Sequence, residues 1–284
     1  MSMNLSIRNN VWMLFCLALF AHSTQVFARD GEPRLDSASS AAVGIGFEVS
    51  HGDYGVGADA TLVTLPLSVF LHPVNKLDIT LEVPLLYLSS KSGSGVVVTH
   101  SGGAGRGRTV NSSGATVTGS TTVQESGVGD INMTAGWTLL TDGEGIPKIR
   151  PTFYAKVPSG DLDRGLGTGT MEVGPGLSVS KWLGNVQLFG EGAYIFQNSK
   201  SDYQGRNYIS YLGGVGIQAT DRLFVSALAK GSSPRSEGAE AQAEGRLKVN
   251  YMHSRRLSLE IYGLTGFTDA SPDFGGGMML VYQF

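Results

Sequence analysis

His253 and Ser254 set a general base beside a hydroxyl nucleophile, the pairing used in acyl transfer. The pair needs an orienting Asn or Asp, and none stands at useful spacing. Its context, HSRR, reads as a tight turn in which Ser and His are ordinary. The other histidines beyond the first segment, His51, His72 and His100, fall in different loops or turns. They show no i, i+4 or short-loop spacing suited to a metal. Asp161 and Asp163 in SGDLDRG offer carboxylates for Ca²⁺, yet the stretch reads more simply as a solvated loop. The glycines of GLGTG (165–169) suggest a phosphate cradle by type alone. So glycine-rich a chain gives such matches by chance, and no helix follows to supply the amides. Neither catalysis nor a metal or cofactor site is expected.

The remaining charged residues recur with a period of two inside otherwise apolar stretches. From Asp130 onward one face carries Asp130, Asn132, Thr134, Gly136 and Thr138, and the other Ile131, Met133, Ala135, Trp137 and Leu139. The next run sets Arg150, Thr152, Tyr154 and Lys156 against Ile149, Pro151, Phe153, Ala155 and Val157, and a later one sets Arg246, Lys248 and Asn250 against Leu247, Val249 and Tyr251. Strict alternation is the mark of strands with one wet and one greasy face. If the greasy face meets lipid, a charge there costs on the order of 2–4 kcal/mol, so the charged face lines a lumen. The candidate lumen-lining residues are Glu82, Asp130, Arg150, Lys156, Glu191, Arg222, Arg246, Lys248 and Glu260, with Asp78, Glu172 and Lys230 on the same parity. Pairing around the TDGEG turn brings Asp130 near Lys156 and Gly136 near Arg150, which predicts at least one salt-bridged rung. Two readings stay open: these charges neutralise one another and fill the barrel, or they line an aqueous path and set its ion preference.

The elements that must hold these residues are twelve strands, expected near 41–51, 58–71, 77–88, 127–140, 149–158, 171–183, 186–196, 208–220, 223–232, 245–252, 257–265 and 275–284. Short turns (HPVNK, TDGEGIPK, LGN, TDR, HSRR) alternate with longer polar connections, the longest a Gly/Ser/Thr tract at 89–126. That tract reads either as a flexible loop or as a hairpin built from GVVVTH and GATVTG. Such asymmetry, with an even strand count, is that of a transmembrane up-and-down antiparallel β-barrel in a bacterial outer membrane, its long loops extracellular and both termini periplasmic. Aromatic residues near strand ends (Phe70, Tyr87, Trp137, Trp182, Tyr194, Phe196, Tyr208, Tyr251, Phe284) are expected to form interfacial girdles.

Composition agrees. Among 284 residues 40 are glycine and 16% are charged, and the net charge of −3 leaves no electrostatic footprint for nucleic acid. Residues 1–28 read as a cleaved signal peptide, with Arg8 before the apolar run VWMLFCLALF and Val26-Phe27-Ala28 as the cleavage pattern. Cleavage there removes the single cysteine, Cys16. Residues 29–40 form an N-terminal periplasmic segment, and 41–284 the barrel.

Three stretches, GVGDINMTAGW (127–137), FYAKVPSGD (153–161) and GLGTGTMEVGPGLSVSKWLGNVQLFGEGAYIF (165–196), resemble the bacterial outer-membrane transporter-like family labelled "MetA-pathway of phenol degradation". Its members pair a GxGD strand start with a K-x-P-[ST]-G-D strand end. The resemblance implies an outer-membrane barrel linked to uptake of aromatic or apolar compounds, not a phenol-degrading activity. The expected function is passive passage of small solutes, with Glu82, Glu191, Lys248 and Glu260 nearest mid-height. The alternative is an envelope-structural or surface-interaction barrel with a filled lumen. Expected partners are membrane lipid and lipopolysaccharide, the small solute, and the barrel-assembly machinery. The last would read the terminal run GGGMMLVYQF, in which Leu280, Tyr282 and Phe284 share a face.

Overall fold

The computed structural model describes residues 40–54, 59–91, 122–199, 204–236 and 239–284, with the backbone of three short segments, Met13–Leu14, Val96–His100 and Gly103–Arg106. The expected signal peptide and the segment after it lie outside the described residues, apart from Met13–Leu14 and Ser40.

Twelve staves make one closed antiparallel sheet: β1 (Ser40–Gly52), β2 (Ala60–Val74), β3 (Leu77–Lys91), β4 in two segments (Thr122–Val128 and Ile131–Trp137), β5 (Lys148–Val157), β6 (Glu172–Leu183), β7 (Val186–Gln197), β8 (Tyr208–Thr220), β9 (Leu223–Ser232), β10 (Gln242–Met252), β11 (Leu257–Gly266) and β12 (Phe274–Gln283). Each pairs with the next, and β12 returns to β1 with Leu280 opposite Ile45, so no edge is left open. No helix occurs among the described residues. These bounds agree with the sequence reading to a few residues, except that β2 and β3 run three residues further than expected and β4 begins five residues earlier.

Alternation along each strand is what sorts inside from outside. On β10, Leu247 is 60% exposed while its neighbours Arg246 and Lys248 are each 3% exposed. The same inversion runs around the barrel: Ile45, Trp137, Phe153, Leu188, Ile217 and Ile261 are exposed, and Glu48, Thr134, Arg150, Glu191 and Glu260 are buried. A water-soluble protein does not present so continuous an apolar exterior; this one suits a hydrocarbon surround. Tyr87, Trp137, Tyr194, Phe196, Tyr251 and Phe284 of the expected girdle are on this outer face. Phe70 and Tyr208 are not: they share the parity of Ser68 and Ser210 and are buried inside. Their position near strand ends was read correctly, but their parity overrides it.

One end has tight turns at 75–76, 184–185 and 221–222 and slightly longer ones at 138–147 and 253–256, and the other has the long loops. Gly184 (φ 66°) and Gly145 (φ 74°) take the left-handed backbone that two of these turns require. In the 89–126 tract, Val96–His100 pairs antiparallel with Gly103–Arg106, a tighter hairpin than the one expected between GVVVTH and GATVTG. The GATVTG stretch lies outside the described residues.

Candidate functional site

The interior is organised around an interruption in β4. Between the pairs Leu85–Val128 and Glu82–Asn132, β4 carries one residue more than β3, a bulge. Its cause is legible in β3: Pro84 has no N–H to give, and only its carbonyl is used, by the Gly129 N–H at 2.9 Å. The bulge turns Asp130 fully inward.

Ser159, just beyond β5, repairs the backbone at this break. Its hydroxyl donates to the Gly129 carbonyl (2.7 Å) and accepts from the Ile131 N–H (3.0 Å). Without it two main-chain groups would be left unsatisfied. Pro158 ends the β5 ladder, and the chain then doubles back as a strap, residues 160–170, that folds into the mouth of the barrel. Gly165 to Thr168 and Thr170 are buried. Gly165 (φ 73°) and Gly169 (φ 63°) supply its left-handed corners. Gly160 and Gly167 lie face to face: a Cβ on Gly167 would come within 2.8 Å of the Gly160 Cα.

Three sets of contacts hold the strap, the outermost being Arg164, which donates to Glu125 (2.7 Å) and to the Ser126 carbonyl (2.9 Å) on β4. Leu166, 1% exposed, packs in a cluster with Tyr54, Ala60, Leu62, Leu86, Leu88 and Ala270. Burying such a side chain is worth roughly 1.5–3 kcal/mol. Beneath it sits an ionic latch. Asp130 accepts from the Gly160 N–H (3.0 Å), the Thr168 N–H (3.0 Å) and the Thr168 hydroxyl (3.3 Å). Lys156 bridges Asp130 (3.1 Å) and Glu172 (2.5 Å) and donates to Thr168 Oγ1 (2.6 Å). Glu172 also accepts from the Tyr208 hydroxyl (2.8 Å). A lysine this deep is tolerable only with two carboxylates and a hydroxyl around it.

A second network fills the wall of β9 to β11. Arg246 reaches Glu244 (2.6 Å) and Glu48 (3.2 Å) and lies over the Tyr262 ring, whose hydroxyl donates to Glu48. Lys230 pairs with Glu244 (3.1 Å), and Lys248 with Glu260 (2.8 Å). Lower on β5, Arg150 makes a two-pronged pair with Asp78, its Nε to Oδ1 at 2.8 Å, over Gly136, where any Cβ would collide with the guanidinium. A small cavity of about 10 Å³, room for a single water, lies against Ser68, Phe70, Glu82, Asn132 and Thr134.

The structure thus brings Asp130 together with Lys156, and Lys248 with Glu260, and it buries Glu82, Glu191, Arg150 and Arg246. Asp130 meets Lys156 diagonally, since Asn132 is the residue directly opposite. Arg222 departs from expectation. Its parity matches buried Phe224, but it belongs to the turn at 221–222 and is exposed to solvent. His253 and Ser254 are exposed too, and the Ser254 hydroxyl caps its own turn by accepting from the Arg256 and Leu257 N–H groups (3.3 and 3.2 Å). Asp161 and Asp163 are exposed, and Asp161 Oδ1 accepts from the Asp163 N–H (3.0 Å). No cluster of metal-ligating side chains occurs among the described residues. Parity reasoning could not see the strap, because GLGTGT has no apolar period. The signal available was that its glycines and threonines open the third of the family-like stretches, a few residues after FYAKVPSGD.

A family model described as "Putative MetA-pathway of phenol degradation" matches residues 57–284. The chain belongs to this family. The GVGD and KVPSGD stretches now have a physical reading: Asp130 of GVGD is the hub of the latch, Lys156 its cation, Pro158 the end of pairing, Ser159 the repair of the bulge and Gly160 the close approach. No curated protein matches the sequence. Among solved structures, an outer-membrane channel of the COG4313 type from Pseudomonas putida F1 is similar, at 15% identity and a TM-score of 0.66, covering 87% of this chain and 96% of that one. The KdgM porin (8% identity, TM-score 0.47, 85% and 98% covered) and the NalP translocator domain from Neisseria meningitidis (10%, 0.48, 90% and 91%) are more distant. The first likeness establishes the barrel fold.

Proposed function

We propose that this protein is a passive channel for small solutes in a bacterial outer membrane, with apolar or aromatic compounds as the class it favours. The carrying observation is the inverted barrel: an apolar exterior around an interior of ionised and hydroxyl-bearing side chains. Family membership and the fold shared with the Pseudomonas putida outer-membrane channel support it. The apolar inner surface of β2 and β3, with Leu62, Pro66, Phe70, Pro84, Leu86 and Leu88, supports the solute class. In this reading the long loops face the exterior, both ends of the barrel chain face the periplasm, and residues 1–28 direct export. The outer face meets lipid and lipopolysaccharide, and Phe284 with Tyr282, ring to ring at 5.4 Å, presents the run read by the assembly machinery. Glu82, Glu191, Lys248 and Glu260 line the path, and Arg222 is at its turn-end rim. Nothing in this function calls for catalysis or a cofactor.

A second reading is favoured by how fully the interior charges pair with one another: a filled barrel that anchors the 89–126 tract for contact at the cell surface. Planar-bilayer recording separates the two. A channel gives discrete conductance steps in potassium chloride, and Glu191→Gln shifts its cation preference. Absence of steps together with absence of solute flux in liposomes would overturn the channel in favour of the anchor.

A further inference from the structure

We propose that the outer wall at the β12–β1 seam carries a binding site for an anionic phospholipid of the periplasmic leaflet. The site presupposes the orientation given above, with both barrel ends at the periplasm, and is independent of whether the lumen conducts. A groove of about 480 Å³ runs over β12, β1, β2 and β3, walled by outward-facing side chains that include Val43, Ile45, Leu67, Leu81, Leu280 and Tyr282. The register sets them side by side: Tyr282 stands opposite Val43, and Leu280 opposite Ile45, which in turn faces Leu67. Gly44 and Ser68 also border the groove although their parity is inward, so its floor is the sheet itself. A hollow with so few polar partners suits a hydrocarbon chain and not water.

The two ends of the groove identify its occupant. Its upper end lies where the wall loses pairing: the β1–β2 ladder runs to Ile45–Leu67 and resumes at Glu48–Thr64, with no partner for Gly46 or Phe47. Pro66 has no N–H to give there, and Gly46 makes room for its ring, since a Cβ would fall 2.8 Å from the Pro66 Cγ. At the lower end Tyr282 and Phe284 meet edge to face at 5.4 Å, aromatic rings of the kind that mark the headgroup level. Just beyond are the turns at 75–76 and 253–256, which expose Lys76, Arg255 and Arg256 and contain no Asp or Glu. The Arg256 carbonyl accepts from the Gln283 N–H (2.8 Å), which ties the second turn to β12 beside the groove. Leu81 lies five residues up β3 from Lys76. That is about 17 Å along a tilted strand, matching the roughly 15 Å of hydrocarbon in one leaflet. A single lipid can therefore set its phosphate among these cations and lay an acyl chain in the groove. Lipopolysaccharide belongs to the other leaflet, so the lipid that meets this hollow is a phospholipid. Cations without carboxylates select an anionic headgroup over a zwitterionic one, each Lys or Arg at a membrane surface contributing about fivefold in affinity.

The test titrates the refolded full chain in detergent micelles with phosphatidylglycerol or phosphatidylethanolamine. Bound lipid is counted by native mass spectrometry, and folding is checked by heat-modifiable gel mobility. One phosphatidylglycerol is expected to be held about tenfold more tightly than phosphatidylethanolamine. Lys76→Gln with Arg256→Gln should erase that preference and leave phosphatidylethanolamine binding as it was. Leu67→Trp should fill the groove and weaken both lipids, whereas Ile217→Trp, on the outer face of β8, should change neither. Equal retention of the two headgroups by the wild type, or a preference that survives the double charge variant, would overturn the site. So would lipid binding indifferent to Leu67→Trp. A dimer that ignores added lipid and disappears with Leu67→Trp would overturn it too, by assigning the groove to a second copy of the chain. Should Leu67→Trp not fold, the charge variant, confined to exposed turns, decides alone. Conductance is no part of the readout, so a lumen that proves closed leaves the result standing.

Discussion

The inner faces of β2–β3 and of β9–β11 are built on opposite plans, although their outer faces look alike. Inside β2 and β3 stand Ala60, Leu62, Pro66, Phe70, Pro84, Leu86 and Leu88, with Thr64, Ser68, Thr80 and Glu82 between them. Inside β9 to β11 stand Lys230, Glu244, Arg246, Lys248 and Glu260, stitched by ion pairs from 2.6 to 3.1 Å. The exterior is uniform because one solvent, hydrocarbon, selects it at every stave. The interior answers to local neighbours instead. Where charges stand close enough to satisfy each other they are kept, and where a loop brings Leu166 inward the wall opposite is apolar. A barrel wall therefore has one face fixed by its surroundings and one free to be specialised.

The contrast can be broken at its strongest point first. On the ionic side, Arg246→Met leaves Glu48 and Glu244 buried without their guanidinium and should destabilise the refolded barrel by about 3–5 kcal/mol, read as a lowered urea midpoint. On the apolar side, Leu62→Ala opens a cavity beneath Leu166 and should cost roughly 2–5 kcal/mol by the same measurement. If this loss equals that of Arg246→Met and also abolishes ion preference, the two walls are interchangeable filler and the contrast fails. Exchanging a whole ion pair sharpens it. Lys248→Met with Glu260→Leu should be neutral or stabilising by about 1–4 kcal/mol, because desolvation of both charges is relieved together. Bilayer recording of that double variant should show changed ion preference without loss of folding. The smallest effect is expected at Arg222→Ala, exposed in its turn, at within about 0.5 kcal/mol and with conductance unchanged.

Most of the fold was legible because a barrel in lipid obeys a short code. The period of two gave the faces, and the alternation of HPVNK-type turns with long loops gave the topology. Asp130 and Lys156 could be brought together from the turn at 138–147 alone, since antiparallel pairing around a turn is local arithmetic. Three things escaped that arithmetic. The β4–β5 register is two residues away from one that would set Asp130 opposite Lys156, so Asn132 faces Lys156 directly. Arg222 kept lumen parity, yet parity has no meaning past the last ladder bond. The strap was hidden because glycine and threonine in GLGTGT carry no hydrophobic period, and its burial depends on partners at 130, 156 and 172 that only the closed barrel brings to one place.

The pairing of β12 with β1 has a consequence in time. Residues 274–283 must find residues 42–51 across nearly the whole chain, and that ladder, from Phe274–His51 to Gln283–Ala42, carries the largest sequence separation of any ladder among the described residues. Contacts of such high order form late and slowly, because the entropy of closing so long a loop must be met before any bond of the ladder rewards it. Until they form, both β1 and β12 present unpaired backbone, the template on which chains aggregate. Folding of this barrel is thus a race between one intramolecular seam and every intermolecular one, and whatever holds the two end staves apart from other chains decides its yield.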